Sequence, residues 1–184
     1  MISRRLFVGI PISAEIKDKI KSLSAKLQET GADLNLVSLE NLHLTLKFLG
    51  QIEEEQIADI KKRLAGVAEK ELRFVIKIKK VNTFSSGSKL RVVFIEAESA
   101  QLVSLRNKID LVLNNFKKDD HANTAAHLTL ARVQSEKNKP QLQVILTKFR
   151  NQDFGEMLAD HFILYSSTLT RKGPIYEELA RFFL

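Results

Sequence analysis

His43-Leu44-Thr45-Leu46 returns letter for letter as His127-Leu128-Thr129-Leu130, and the fold is read outward from these two stretches. A repeated tetrapeptide turns up by chance in roughly one chain of this length in ten, so repetition alone carries little. A repeat that opens on histidine, in a chain with only 4 histidines, is far rarer, roughly a few per thousand. Both copies lie among apolar residues in the manner of buried strands. Strand side chains alternate faces, so His43 and Thr45 point one way while Leu44 and Leu46 point the other. His127 and Thr129 are set against Leu128 and Leu130 in the same way. Each copy anchors itself in a core through two leucines and presents an imidazole together with a hydroxyl. Two such strands facing one cavity supply an acid–base pair.

The rest of the chain alternates strands with amphipathic helices. Arg4 to Ile10 reads as a strand closed by Pro11, and Ser13 as the N-cap of a helix to about Thr30, stopped by Gly31. Its inner face carries Ile16, Ile20, Leu23 and Leu27. Leu36 to Ser38 is a short extended piece, and Asn41 to Phe48 is the first motif strand, ended by Gly50. Glu53 to Glu55 open a second helix, with Ile57, Ile60, Leu64 and Val67 inward. Strands over Leu72 to Val81 and Leu90 to Glu96 flank the turn-rich Ser85-Ser86-Gly87-Ser88. Ser99 starts a third helix, a polar loop covers Lys117 to Asn123, and Ala126 to Val133 is the second motif strand. Pro140 opens a fourth helix to Phe149, and strands at Phe162 to Leu169 and Pro174 to Phe183 close the chain. No composition break marks a linker. The expectation is one α+β domain over 1–184. It is bilobal with a pseudo-two-fold, one motif per lobe, and two antiparallel sheets face a central cleft with helices packed outside.

The 184 residues suffice for one substantial core. Apolar and charged fractions of 44% and 28% exclude disordered and fibrous classes. No apolar run reaches the ~20 residues of a membrane span, so no membrane partner is expected. The start lacks a signal-peptide pattern, and with no cysteine there is no thiolate metal site, so a cytoplasmic protein is expected. A net charge of +7 favours an acidic partner such as nucleic acid. Lys61, Lys62, Arg63, Lys77, Lys79 and Lys80 read equally well as solvated faces.

An isolated histidine on a sheet is more often a hydrogen-bonded core residue than a catalyst. Two in matched settings, each two residues before a threonine, reverse that preference. Displacement at phosphorus puts the entering and leaving oxygens at opposite apices, and histidine serves as acid or base near neutral pH. Thr45 and Thr129 would hydrogen-bond the non-bridging oxygens, and Arg132 would clamp the phosphate charge. Lys47, two residues past Thr45, shares the His43 face in an ideal strand and is a candidate RNA contact, with a solvent-facing role as the alternative. His121 and His161 have no partner identifiable from spacing. No metal and no other cofactor is expected, because two histidines and an arginine suffice for an intramolecularly activated phosphate ester.

These residues resemble the two-histidine (2H) phosphoesterase superfamily, whose signature is a pair of His-x-Thr-x motifs, and within it the RNA 2′,3′-cyclic phosphodiesterase (2′-5′ RNA ligase) family. The likeness runs almost end to end: Arg5 to Pro11 is similar to the opening strand, Glu40 to Gly50 to the first motif, His127 to Arg132 to the second, and Leu164 to Leu169 with Gly173 and Tyr176 to the C-terminal segment. The resemblance implies hydrolysis of RNA 2′,3′-cyclic phosphate ends to 2′-phosphates, with His43 as proton donor and His127 as acceptor, and reversible 2′-5′ ligation. It implies an RNA substrate, tRNA fragments included, and a monomer. The chain departs from the family at Ala125-Ala126, where a basic residue and proline are usual, and near Leu36-Val37, where an aromatic is usual. Phe7 and Phe48 are candidate stacking residues for RNA bases, with a core role as the alternative. Two other readings compete: a phosphodiesterase of small cyclic nucleotides or 2′-5′ oligonucleotides, and a non-catalytic RNA-binding module, which would have no need of two matched imidazoles.

Overall fold

A computed structural model describes residues 3–116, 126–170 and 173–184. The elements run β1 (Ser3–Pro11), α1 (Ala14–Glu29), β2 (Leu34–Leu36), β3 (His43–Glu53), α2 (Ile57–Ala68), β4 (Phe74–Ser86), β5 (Lys89–Glu98), α3 (Ala100–Val112), β6 (His127–Val133), α4 (Lys139–Phe149), β7 (Asp153–Ala159), β8 (His161–Thr170) and β9 (Gly173–Phe183). The polar loop expected over Lys117 to Asn123, with His121 in it, lies outside the described residues, as does Ala125.

The strands form an antiparallel array in the order β7-β4-β5-β6-β3-β1-β8-β9, with β2 on β6. The α+β class and antiparallel pairing agree with the sequence expectation. The two sheets expected to face one another are the halves of this single curled sheet, joined where β3 meets β6 at one pair, Leu44 opposite Leu128. Read outward from that pair, the halves correspond strand for strand: β3 with β6, β1 with β5, β8 with β4, and β9 with β7. In each half a helix links the inner pair, α1 between β1 and β3, α3 between β5 and β6. Each of these helices crosses over, α1 packing on β7 and α4, and α3 packing on β3 and α2. The halves are thereby interlocked.

Local sequence explains these placements. Ser13 Oγ accepts from Ile16 N at 3.4 Å, capping α1, whose buried Ile16, Ile20, Leu23 and Leu27 fall on one face. α2 buries Ile57, Ile60, Leu64 and Val67, and α3 buries Leu102, Leu105 and Ile109, against the leucine face of the sheet. Their side chains form one core with Leu44, Leu46, Leu128 and Leu130. Burial of an aliphatic side chain contributes about 1.5–3 kcal/mol, so this layer holds the motif strands in register.

Two places depart from the sequence expectation through a backbone irregularity. Gly50 does not end β3, which continues to Glu53. The glycine takes φ +75° opposite Leu6, and Leu49 is bulged out of the pairing. β7 has no counterpart in the sequence reading, because Gly155 at φ +100° and a register shift beside it break the alternation that marks a strand. Lys77, Lys79 and Lys80 lie on a solvated face, as expected, and are ion-paired there with Glu156, Glu98 and Glu96.

Candidate active site

The motif strands present the same burial sequence residue for residue: half-buried His and Thr alternate with buried leucines, two buried residues follow in succession, and then an exposed one. The cause is a pair of equivalent β-bulges. Val8 pairs with Lys47 and Gly9 with Thr45, so Leu46 is skipped. Val93 pairs with Ala131 and Phe94 with Thr129, so Leu130 is skipped. A bulge inserts one residue and reverses the facing of everything beyond it. The fifth residue after each histidine, which simple alternation would send to the core, therefore returns to the cleft face as Phe48 in one strand and Arg132 in the other.

The same bulge carries Lys47 away from the cleft, against the expectation that it shares the His43 face. It is 2% exposed, and its ammonium is paired with Asp110 of α3 on the helix side of the sheet. Lys47 is not on a surface that RNA can reach.

Continuing the Leu44–Leu128 register by one residue each way sets His43 opposite Thr129 and Thr45 opposite His127. The two histidines are then diagonal neighbours, with Cα atoms about 8 Å apart by ideal strand spacing. A cavity of about 470 Å³ opens on this face, lined by His43, Thr45, Phe48, Thr129 and Arg132, with Phe7, Arg5 and Asn41. Leu169, Pro174 and Tyr176 at the end of the β8–β9 hairpin complete one wall, and Asn35 to Ser38 another. His127 is not itself among the lining residues. It stands one alternation step from Thr129, its ring edge-on to Phe84 at 5.0 Å and tilted to Phe94 at 5.2 Å.

His43 is held more tightly. Its Nδ1 lies 2.7 Å from the Asn41 carbonyl, which fixes a proton on Nδ1 and leaves Nε2 for chemistry. Asn41 in turn donates through Nδ2 to the Pro174 carbonyl at 2.9 Å, so the β8–β9 hairpin bends over the cleft and is pinned beside the histidine. Phe7 lies 4.7 Å from the imidazole, and Tyr176 meets it edge-on at 5.3 Å. Burial lowers the His43 pKa below the usual imidazole range, and the Asn41 carbonyl opposes this. Burial pushes the Tyr165 phenol up to about 12 and raises Tyr176, the latter against the nearby guanidiniums of Arg132 and Arg5. Both phenols stay protonated near neutrality. Phe7, 3% exposed and stacked on Tyr165 at 5.0 Å, backs the histidine and has no free face for a base. Phe48, at 39%, does.

Sequence reasoning missed Asn41, Tyr165, Phe84 and Phe94. Asn41 and Tyr165 lay inside the family-like stretches without an assigned role, and only the spacing of aromatics across β4 and β5 could have announced Phe84 and Phe94. Gly9 was also unannounced: an added Cβ would stand 3.1 Å from the Leu44 carbonyl oxygen and 3.2 Å from His43 Cδ2. Glycine there lets the imidazole approach β1 closely. His161 is elsewhere, bonded to Asp160 at 2.5 Å. Among the described residues no three His, Asp or Glu side chains converge as metal ligands, and no helix is long and apolar enough to cross a membrane.

Comparison with known proteins agrees with the duplicated geometry. The profile of the LigT-like phosphoesterases matches twice, over residues 10–94 and 93–176, one motif in each match. The chain is 37% identical over 173 residues to the RNA 2′,3′-cyclic phosphodiesterase of Methanocaldococcus jannaschii, covering 94% of this chain and 96% of the relative. It is 36% identical over 181 residues to the enzyme of that name from Archaeoglobus fulgidus, covering 97% and 99%. Among solved structures, the TT0787 protein of Thermus thermophilus superposes with a TM-score of 0.84 at 25% identity, over 98% of this chain and 97% of that one. Escherichia coli LigT shares the fold, with a TM-score of 0.81 at 24% identity over 100% and 99%. The chain belongs to the LigT-like phosphoesterase family.

Proposed function

We propose that this protein hydrolyses the 2′,3′-cyclic phosphate at an RNA end to a 2′-phosphate and a free 3′-hydroxyl, without a metal. The observation that carries the reading is the pairing of Leu44 with Leu128, which sets the two motif strands, each with its histidine and threonine, side by side. Two imidazoles brought together in this way would serve as proton acceptor and proton donor on either side of a phosphorus atom, with the threonine hydroxyls between. The substrate class is supported by the relatives named RNA 2′,3′-cyclic phosphodiesterase at 36–37% identity from end to end.

In this reading residues 1–184 form one bilobal domain with one motif in each lobe. His127 accepts a proton from water as the water oxygen bonds to phosphorus. The bond from phosphorus to the 3′ oxygen breaks, and His43, charged at that moment, gives its Nε2 proton to that oxygen. Thr45 and Thr129 donate to the non-bridging oxygens, and Arg132 balances the charge that gathers on them. A 5′-hydroxyl entering in place of water, with the same two proton transfers, would join RNA ends by a 2′-5′ linkage. The empty cleft favours neutral His43. A bound phosphodiester anion favours its charged form, so the donor is armed by the substrate.

The test is incubation of EDTA-treated protein with an oligonucleotide ending in 2′,3′-cyclic phosphate, with the product identified by chromatography against authentic 2′-phosphate and 3′-phosphate standards. A 2′-phosphate end alone is expected. A 3′-phosphate, or activity lost to the chelator and restored by a divalent ion, would refute the reading.

A further inference from the structure

Arg4 and Arg5 are neighbours on β1 with opposite fates. Arg4 is neutralised twice, its Nε bonded to Glu54 at 3.0 Å and its Nη1 to Glu177 at 3.1 Å. Arg5 is exposed and lines the same cavity as His43, Thr129 and Arg132. Among the described residues its guanidinium has neither a carboxylate nor a hydrogen-bond partner. Arg132 is in the same condition. An unpaired guanidinium in a concave wall, with no counter-ion built for it, is free to take an anion from outside.

Two such cations in one cavity raise the question of two anions. Both lie within electrostatic reach of the Tyr176 hydroxyl, whose ring touches His43, so they belong to one site. They do not occupy equivalent positions in the duplicated sheet. The counterpart of Arg132 is Phe48. The counterpart of Arg5 is Leu90, because Phe7 pairs with Phe48 as Val92 pairs with Arg132. Leu90 lines a separate groove against α4. The repeat therefore supplies one phosphate-binding arginine at the motif, and Arg5 is an additional cation that the symmetry does not require.

We infer that Arg5 binds the phosphodiester immediately 5′ of the terminal nucleotide, and so sets the preference for an RNA strand over a cyclic mononucleotide. This rests on the hydrolytic reading above, in which Arg132 and the two threonines already serve the cyclic phosphate. A strand has its next negative charge one nucleotide upstream; a nucleoside 2′,3′-cyclic phosphate has none. The neighbours of Arg5 suit a strand leaving the cleft. Phe48 offers an exposed ring on the adjacent strand, and Leu169 and Pro174 give an apolar wall on the hairpin. Alternating ring and guanidinium is the usual platform for single-stranded nucleic acid.

The experiment compares kcat/KM on a dinucleotide with a 2′,3′-cyclic end against kcat/KM on the matching nucleoside cyclic phosphate. The wild-type ratio should exceed about 10, and Arg5→Ala and Arg5→Gln should each reduce it by roughly 10-fold, as loss of a charge-assisted phosphate contact does. Arg5→Lys should keep part of it. Arg132→Ala should lower both substrates and leave the ratio standing. The salt dependence of dinucleotide kcat/KM should lose about 0.7 in log–log slope in Arg5→Ala, the value for one single-strand phosphate contact. A ratio that both variants leave unchanged, or a wild-type ratio near one, overturns the inference. Binding of a 2′-phosphorylated dinucleotide, measured by calorimetry, separates the two readings. If the wild type turns over neither cyclic substrate, the hydrolytic reading fails on its own. An Arg5→Ala affinity equal to wild type would still overturn the subsite.

Discussion

The pair of Lys47 and Asp110 allows a test in which removal of either partner has a different expected cost. Lys47 is 2% exposed while the Asp110 side chain is 49% exposed, so the two ends of the ion pair stand in different media. In Asp110→Ala the ammonium is left buried without a counter-charge, a situation that costs about 3–5 kcal/mol in fully enclosed sites. The half-open position of Asp110 lets water approach the lysine, which lowers the expected loss to about 2–4 kcal/mol. In Lys47→Met a side chain of similar volume replaces the cation, and the carboxylate left behind is free to turn to solvent. The change should lie within about 1 kcal/mol of wild type, in either direction. Urea unfolding of wild type, both single variants and the double variant measures all four corners of the cycle. The double variant should resemble Lys47→Met, because once the buried charge is gone Asp110 has little left to stabilise. Lys47→Met should also keep turnover within a few-fold, since the residue lies on the far side of the sheet from the imidazoles. A Lys47→Met variant less stable than Asp110→Ala would refute this account of the burial. A selective loss of affinity for RNA in that variant would return Lys47 to the cleft.

Other expectations follow from the same geometry. His43→Ala and His127→Ala should each lower turnover on the order of 10²-fold or more, and the double variant should lose less than the product, because the pair acts as a unit; near-normal turnover in both single variants would refute the catalytic assignment. A substrate with a better leaving group at the 3′ position should rescue His43→Ala preferentially, and rescue of His127→Ala instead would reverse the two roles. With His43 as donor, the basic limb of kcat/KM should lie below that of kcat, since burial lowers the imidazole in the empty cleft and bound anion raises it; superimposed limbs would count against that. The neutral, buried His43 contributes stability that is fully present above about pH 6.5 and lost as pH falls through its lowered folded value, so His43→Gln should flatten the acid side of the urea midpoint curve. Gly9→Val should cost roughly 1–3 kcal/mol in unfolding free energy by overpacking, and turnover should fall as well, because the new side chain pushes on the His43 ring; unchanged kcat would show that the ring has room to move.

The motif strands, the four helices and most strand ends were legible in the sequence because apolar periodicity marks any element with one buried face. The faces beyond the motifs were not legible. In an ideal strand Lys47 shares the side of His43, and Arg132, three residues past Thr129, points to the opposite side. The structure reverses both through the bulges at Leu46 and Leu130. A bulge leaves no mark in the local pattern, since leucine followed by lysine or alanine fits either register. It is recoverable only by comparing the two copies, where Phe48 and Arg132 occupy the same offset. The Asn41–Pro174 bond was out of reach for another reason: it depends on how far the sheet curls, which no local stretch encodes.

The duplication gives two like residues unlike surroundings. Strand, bulge and leucine anchor are shared between the halves, so both imidazoles arrive on the same face with the same threonine beside them. The surroundings are not shared. His43 is enclosed by Phe7 and Tyr176 and fixed through Nδ1 to a carbonyl that is itself tied to the hairpin. His127 is set against Phe84 and Phe94 from β4 and β5. Offset five from each histidine is a ring in one half and a guanidinium in the other. Acid–base catalysis by two identical side chains requires their environments to differ, because a pair with equal proton affinities divides its population between productive and unproductive states. The scaffold fixes position alike in both halves while the neighbours differ, and burial among them lowers the His43 pKa. Divergence at Phe48 and Arg132, and at Lys47 and Ala131, changes chemistry without disturbing the register that the leucines hold.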